Sequence, residues 1–263
     1  MNWIDVNRTA LRYELSGSGK TTLVLVHEMG GTLDSWDQVL PALNHARQVL
    51  RYDTRGAGLS EKIGGKVTFD DMADDLAELL GAVGITGKIA IAGTAVGAAI
   101  AIHFAVRHAA RVGAMVVTSP ATGVPADRRQ ATLDRATAAE TKGMRGIADQ
   151  SVANSYPPEV RHNAAEFRKF RARWLANDPQ SFAAINRMLA AEDISPELAK
   201  IACPTLVTAG RHDSLRAPAV IEPMAKQIPG AEFLELNTGH FASIQTPGTM
   251  SQAIHYFLHA MGL

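Results

Sequence analysis

Apolar residues follow two alternating rhythms along this chain. Short runs rich in Val, Leu and Ile occur at 23–26, 48–52, 88–92, 114–117 and 204–208. A strand covered on both faces reads as such a run, and parallel sheets between two helical layers are built of them. Between the runs lie Ala-rich stretches with apolar residues at helical spacing, predicting helices at about 34–43, 69–83, 96–108, 217–227 and 249–259. The first residues alternate instead. Trp3, Ile4 and Val6, then Leu11, Tyr13 and Leu15, predict an antiparallel pair at a sheet edge. Strands and helices in this succession specify an α/β fold.

The rhythm breaks between about 121 and 196. No strand-like run occurs there, and Pro125, Pro157, Pro158, Pro179 and Pro196 punctuate helical spacing. The stretch is too long for a loop within a compact domain. It predicts an all-helical cap over 122–196, inserted into a core made of 1–121 and 197–263.

Composition narrows the chemistry. With 263 residues, 46% apolar and 20% charged, the chain buries a core without disulfide or metal staples. Lys and Arg total 26, as do Asp and Glu, so the net charge is 0 and no field draws in nucleic acid or an anionic membrane. The single Cys203 excludes an intramolecular disulfide and a multi-Cys zinc site. The start lacks a charged region followed by an apolar one, and no apolar run reaches the roughly 18 residues of a membrane span. These features predict a cytoplasmic protein with a small-molecule substrate as partner and no cofactor or metal. A homo-oligomer stays open.

Ser16-Gly17-Ser18-Gly19-Lys20-Thr21-Thr22 imitates a phosphate-binding loop. That loop needs Gly at position 14, where Glu14 stands, and it must open a helix, whereas a strand follows at 23–26. A hairpin turn with a solvated lysine is expected.

The strongest constellation is Gly93-Thr94-Ala95-Val96-Gly97, between a predicted strand and a predicted helix. Strand, Gly-x-nucleophile-x-Gly and helix make a nucleophile elbow, a turn too sharp for side chains at the flanking glycines. Here the central position is Ala95, whose methyl group cannot attack a carbonyl. Thr94 is one residue off and points away from the tip. Other chemistry-bearing loops follow other strands: His27-Glu28-Met29-Gly30-Gly31, the turn 51–60, Asp213 after 204–208, and His240 after 232–236. In an open α/β sheet such loops converge on one edge.

With these motifs the chain resembles the α/β-hydrolase superfamily over essentially its full length. Segments 27–36 and 51–60 and the helical cap look most like the 3-oxoadipate enol-lactonase branch and its carboxylesterase and C–C hydrolase relatives. The resemblance implies an eight-stranded, mostly parallel sheet with a helical lid. It matches Ala95 to the nucleophile position, Asp213 to the acid, His240 to the base, and the N–H groups of Met29 and Val96 to the oxyanion hole. Two residues depart from the family pattern: Ala95 replaces Ser, and Glu28 replaces the Gly usual after the oxyanion-loop His.

Two explanations of Ala95 stand. Either a serine was replaced to stall turnover, or the alanine is native. In the second case the His–Asp pair serves base-only chemistry, as in a lyase or a cofactor-free dioxygenase, or the protein is a small-molecule receptor. Glu28 is either a surface glutamate or a pocket carboxylate that meets substrate. His27, Asp53, Arg55, Gly56 and Gly58 are expected to shape their turns. His255 and His259 are four apart but lack a third ligand, so a solvated helix flank is expected. Most cap arginines suit a solvated face. Arg128 and Arg129, at the cap's start, are the candidates for holding a substrate carboxylate.

Overall fold

The computed structural model describes residues 2–263, which form one eight-stranded sheet with helices on both faces. Its strands are β1 (Asn2–Val6), β2 (Thr9–Ser16), β3 (Thr22–Val26), β4 (Gln48–Tyr52), β5 (Ile89–Thr94), β6 (Val112–Thr118), β7 (Thr205–Gly210) and β8 (Glu232–Leu236). They lie in the order β1-β2-β4-β3-β5-β6-β7-β8. Pairing is antiparallel among β1, β2 and β4, and parallel from β4 across to β8. This is the eight-stranded, mostly parallel sheet that the resemblance implies.

The helices are α1 (Leu40–Leu43), α2 (Phe69–Ala82), α3 (Val96–Arg107), α4 (Ala126–Ser155), α5 (Ala164–Leu175), α6 (Pro179–Ala191), α7 (Pro218–Ala225), α8 (Ala242–Gln245) and α9 (Pro247–Ala260). The strand period of two sorts their side chains into two cores. Val24, Val26, Ile91 and Val117 pack with Leu76 of α2 and Phe104 of α3. Leu23, Leu25, Ala92 and Val116 pack on the opposite face with Ile254 and Leu258 of α9. A strand buried on both faces has no polar alternation, which is why these segments read as continuous apolar runs.

Helix starts follow local chemistry. Thr68 caps α2 by accepting from Asp71 N–H at 3.1 Å, while Asp71 Oδ2 accepts from Thr68 N–H at 2.9 Å. The helix expected over 34–43 is instead a 3-10 turn, Leu33–Trp36, and the separate short α1. Pro41 explains the split. It lacks an N–H and clashes with the preceding turn, so it suits the first turn of α1 but not the middle of one longer helix.

The segment 16–22 is not a hairpin. β2 and β3 lie on either side of β4, so the connection crosses one end of that strand. Gly17, at φ +73°, and Gly19 press against the 44–47 backbone, where any Cβ would overlap carbonyl oxygens. Lys20 is exposed.

Helices α4, α5 and α6 follow one another between β6 and β7. α4 bends at Gly143, whose φ of +68° and ψ of 174° leave the helical region. Among the described residues, no helix is long and apolar enough to cross a membrane.

Candidate active site

β5 ends at the elbow. Ala95 has φ +53° and ψ −111°, a left-handed conformation that costs an alanine about 1–3 kcal/mol and persists only where the surroundings enforce it. They do so through three hydrogen bonds. Ala95 N–H donates to Thr118 O at 2.9 Å, and Ala95 O accepts from the N–H groups of Ala99 and Ala121, each at 3.1 Å. The flanking glycines are required sterically. A Cβ on Gly93 would overlap the Gly97 carbonyl, and one on Gly97 would overlap the carbonyls of Val26 and His27. Gly97→Ala is therefore expected to destabilise the fold by at least about 1–3 kcal/mol, read as a lowered Tm. An unchanged Tm would show that the elbow relaxes freely.

β7 and β8 end in the loops that carry Asp213 and His240. Their loops meet because Gly210 approaches the Gly239 carbonyl too closely to carry a side chain, and His212 N–H donates to Thr238 O at 2.9 Å. Asp213 Oδ2 lies 2.7 Å from His240 Nδ1. The other oxygen, Oδ1, accepts from the N–H groups of Leu215 and Arg216 at 2.9 and 3.0 Å. Both side chains are buried. Burial raises the Asp213 carboxyl, but the charge and hydrogen bond of His240 and the Arg216 N–H outweigh it, holding the carboxyl below the ordinary carboxylate value. The hydroxyl of Ser119, buried and at φ +49°, adds to this from a position short of full hydrogen-bond geometry.

A depressed folded-state value contributes stability above the unfolded carboxyl's pKa of about 3.9, and that contribution is lost as pH falls through the lower folded value. Acid unfolding of the chain is thus expected to steepen below about pH 4, and Asp213→Asn to flatten that slope. Equal slopes in denaturant titrations of the two proteins would place the contribution elsewhere.

The loop after β3 is fixed from below and from the cap. His27 Nε2 accepts from Thr54 N–H at 3.0 Å, so Nδ1 carries the proton and donates to Glu28 O at 2.7 Å. His27 therefore shapes its loop. Gly30, at φ +81°, lies under the Trp174 ring, and Asn177 Nδ2 donates to Gly30 O at 2.9 Å. The N–H groups of Met29 and Val96 have no acceptor within the described chain. Both residues line a cavity of about 30 Å³, with Glu28 and Phe182 also in its wall.

Glu28 is buried, not a surface residue. Its Oε1 accepts from Ser35 Oγ at 2.8 Å, while Oε2 has no partner. Arg128 and Arg129 stand exposed on the first turn of α4, and Arg129 Nε donates to Val124 O at 3.4 Å. Neither bonds to the elbow, the oxyanion loop or the His–Asp pair. Asp53 accepts from Leu33 N–H and Leu59 N–H at 2.7 and 2.8 Å, and Arg55 Nε meets the buried Asp75 at 2.9 Å, so both hold turns. The rings of His255 and His259 stack 6.0 Å apart. Among the described residues, no group of three His, Cys, Asp or Glu side chains is placed to hold a metal.

Helices α4, α5 and α6 pack against this edge. Ala95 belongs to one apolar cluster with Ile147, Tyr156, Phe170, Trp174 and Phe182 of the cap and with Phe241 beside the histidine. Gln245 ties the histidine loop to the cap, accepting from Phe241 N–H at 3.1 Å and donating to Ser155 O at 2.8 Å. Sequence reasoning misses Gln245, Asn177 and Ser119. Each acts through one contact with a residue distant in the chain, and no local pattern marks it.

The family model described as serine aminopeptidase, S33, matches residues 17–237. A protein of Azorhizobium caulinodans named as a carbamate hydrolase, RutD, is 28% identical, with 93% of each chain covered. A solved enol-lactonase from Burkholderia xenovorans LB400 is 27% identical with a TM-score of 0.93, covering 98% of this chain and 100% of its own. A thermophilic esterase from Thermogutta terrifontis, solved with malate bound, is 26% identical with the same TM-score of 0.93 over 99% of each chain. The chain therefore belongs to the serine aminopeptidase S33 family of hydrolases and has the α/β-hydrolase fold.

Proposed function

We propose that the sheet edge under helices α4 to α6 takes a small ester, lactone or related carbonyl compound, with the carbonyl carbon over Ala95 and its oxygen toward the N–H groups of Met29 and Val96. The observation that carries this reading is the intact Asp213–His240 pair, at 2.7 Å, beside an elbow still held at positive φ. Strain of this kind gathers at sites that meet a reacting group or a ligand, which supports this reading. With serine at 95, His240 takes its proton, Asp213 holds the imidazole and the two N–H groups receive the oxyanion, as esterases and lactonases require. With alanine there is no lone pair to attack and no acyl-enzyme. Relatives named for enol-lactone, ester and carbamate chemistry support a carbonyl substrate.

A second reading is favoured by Ala95 itself, buried at 4% exposure among apolar cap side chains. In it the same His–Asp pair works without a covalent step, as in a lyase or a cofactor-free dioxygenase, or the cleft is a small-molecule receptor. Fluorophosphonate treatment with mass spectrometry, beside calorimetric titration of short esters and lactones, tests the main reading. Ester binding without any covalent adduct is expected. A stoichiometric adduct on another cleft residue, or no binding by any ester or lactone, would overturn it.

A further inference from the structure

The site is shut. Ala95, Asp213 and His240 are all buried, and the cavity at the oxyanion loop, about 30 Å³, has room for water but not for an ester or lactone. A ligand of that class has to be let in.

A much larger recess, about 430 Å³, opens on the outside between α5 of the cap and the core. Ser35 and Gln38 line it from the segment after the oxyanion loop, Glu166 and Ala172 from α5, and Ser243 and Ile244 from α8. Each core wall is joined to one half of the site. Ser35 Oγ donates to Glu28 Oε1 at 2.8 Å, which ties that wall to the oxyanion loop. Ile244 N–H donates to Phe241 O at 3.0 Å, next to His240. Ile244 also belongs to the apolar cluster that contains Ala95, Phe170 and Trp174. It is thus common to the recess and to the surroundings of the elbow.

Two features suit passage between these walls. First, α5 is tied weakly. Among the described residues, its one hydrogen bond to the core runs from Gln38 Nε2 to Glu166 Oε2, 2.8 Å long and exposed, and water competes for such a bond. The neighbouring α6 is held more firmly, since Ile63 N–H donates to its buried Ser181 Oγ at 3.0 Å and Asn177, just before it, holds Gly30 O. Second, Ser243 Oγ and Glu28 Oε2 are buried without a partner, so a polar ligand that meets them breaks no hydrogen bond of the protein.

We propose that this recess is the entrance to the site, with Ile244 as its gate and the Gln38–Glu166 bond as the latch that releases α5. The inference rests on the reading of the elbow and the His–Asp pair as the reacting centre.

Thiol labelling in a Cys203→Ala background tests it without any substrate. Ala95→Cys is treated with methyl methanethiosulfonate and with the bulkier benzyl methanethiosulfonate, and adducts are followed by intact mass. Both rates scale with the thiolate fraction, so a change in their ratio reads access. Ile244→Ala is expected to raise the bulky-to-small ratio by about 5-fold or more, and Gln38→Ala to raise it less. Ala172→Trp, at an exposed position on the recess wall, should lower it, while Ala176→Trp, exposed at the end of the same helix but outside the recess, should leave it unchanged. Ala172→Trp decides the matter if Ile244→Ala fails to fold. An unchanged ratio in folded Ile244→Ala or in Ala172→Trp overturns the entrance. An equal loss in Ala176→Trp, or no labelling of Ala95→Cys in any variant, overturns it too, and an unchanged ratio in Gln38→Ala overturns the latch. All of these outcomes leave the carbonyl reading standing, because ester titration tests that separately.

Discussion

Ala95→Ser is expected to turn this chain into an esterase toward activated short-chain esters, gaining three or more orders of magnitude in kcat/KM and acquiring fluorophosphonate labelling at position 95. The magnitude follows from the reverse change in serine hydrolases, where losing the nucleophile alone costs on the order of 10⁶ in kcat. Little else must be built. The positive φ of residue 95 is already imposed by Thr118, Ala99 and Ala121, so the new hydroxyl would not have to induce the elbow. His240, the proposed general base, is already bonded to Asp213. Initial-rate assays with p-nitrophenyl acetate, with circular dichroism to establish folding, give the answer. A folded variant that stays inert would weaken the hydrolase reading and favour base-only chemistry or binding.

In the Ala95→Ser background, Asp213→Asn is expected to cost on the order of 10⁴ in kcat. The carboxylate accepts a proton from His240 Nδ1, which leaves Nε2 as the basic nitrogen toward the elbow. An amide NH₂ in its place donates to Nδ1, moves the ring proton to Nε2 and removes the base while hardly disturbing shape. His240→Ala in the same background should lose more, on the order of 10⁶, and the double variant should lose little beyond that, because the two side chains act as one unit. Activity that survives Asp213→Asn would mean that another acid serves His240. Among the described residues, Asp213 is the only carboxylate bonded to that ring.

Much of the fold was legible in the residues. Segments 23–26, 48–52 and 205–208 were recognisable as strands because strands covered on both faces are rich in apolar residues without regular alternation, and the elbow glycines announce themselves because no other residue fits two such close backbone approaches. The errors came where spacing alone leaves two outcomes. Pro41 stands at helical spacing within 34–43, yet whether it starts a helix or interrupts one depends on which turn the chain closes first. The Gly-rich 16–22 segment reads as a turn, but only the position of β4 shows that it bridges strands that are not neighbours.

Charge was the least legible feature. A count along the chain draws the eye to the arginines of the cap, and Arg128 and Arg129 sit at its start, but a count does not distinguish a solvated guanidinium from a buried one. Glu28 illustrates the same limit: a glutamate after His27 could face either way, and packing against Gly31 and Ser35 buries it.

What the sequence by itself determined is therefore local: the period of each element, the turns that demand glycine, the interruption of the sheet by a helical stretch, and the loops in which acid, base and methyl stand. What only tertiary structure decided is pairing and burial. His240 finds Asp213 across 27 residues, Arg135 finds Asn186 across 51, Gln245 reaches Ser155 across 90, and Asn177 reaches Gly30 across 147. The physical reason is range. Backbone preference and side-chain period act over a few residues, whereas desolvation and hydrogen-bond geometry exist only once distant segments have been brought together.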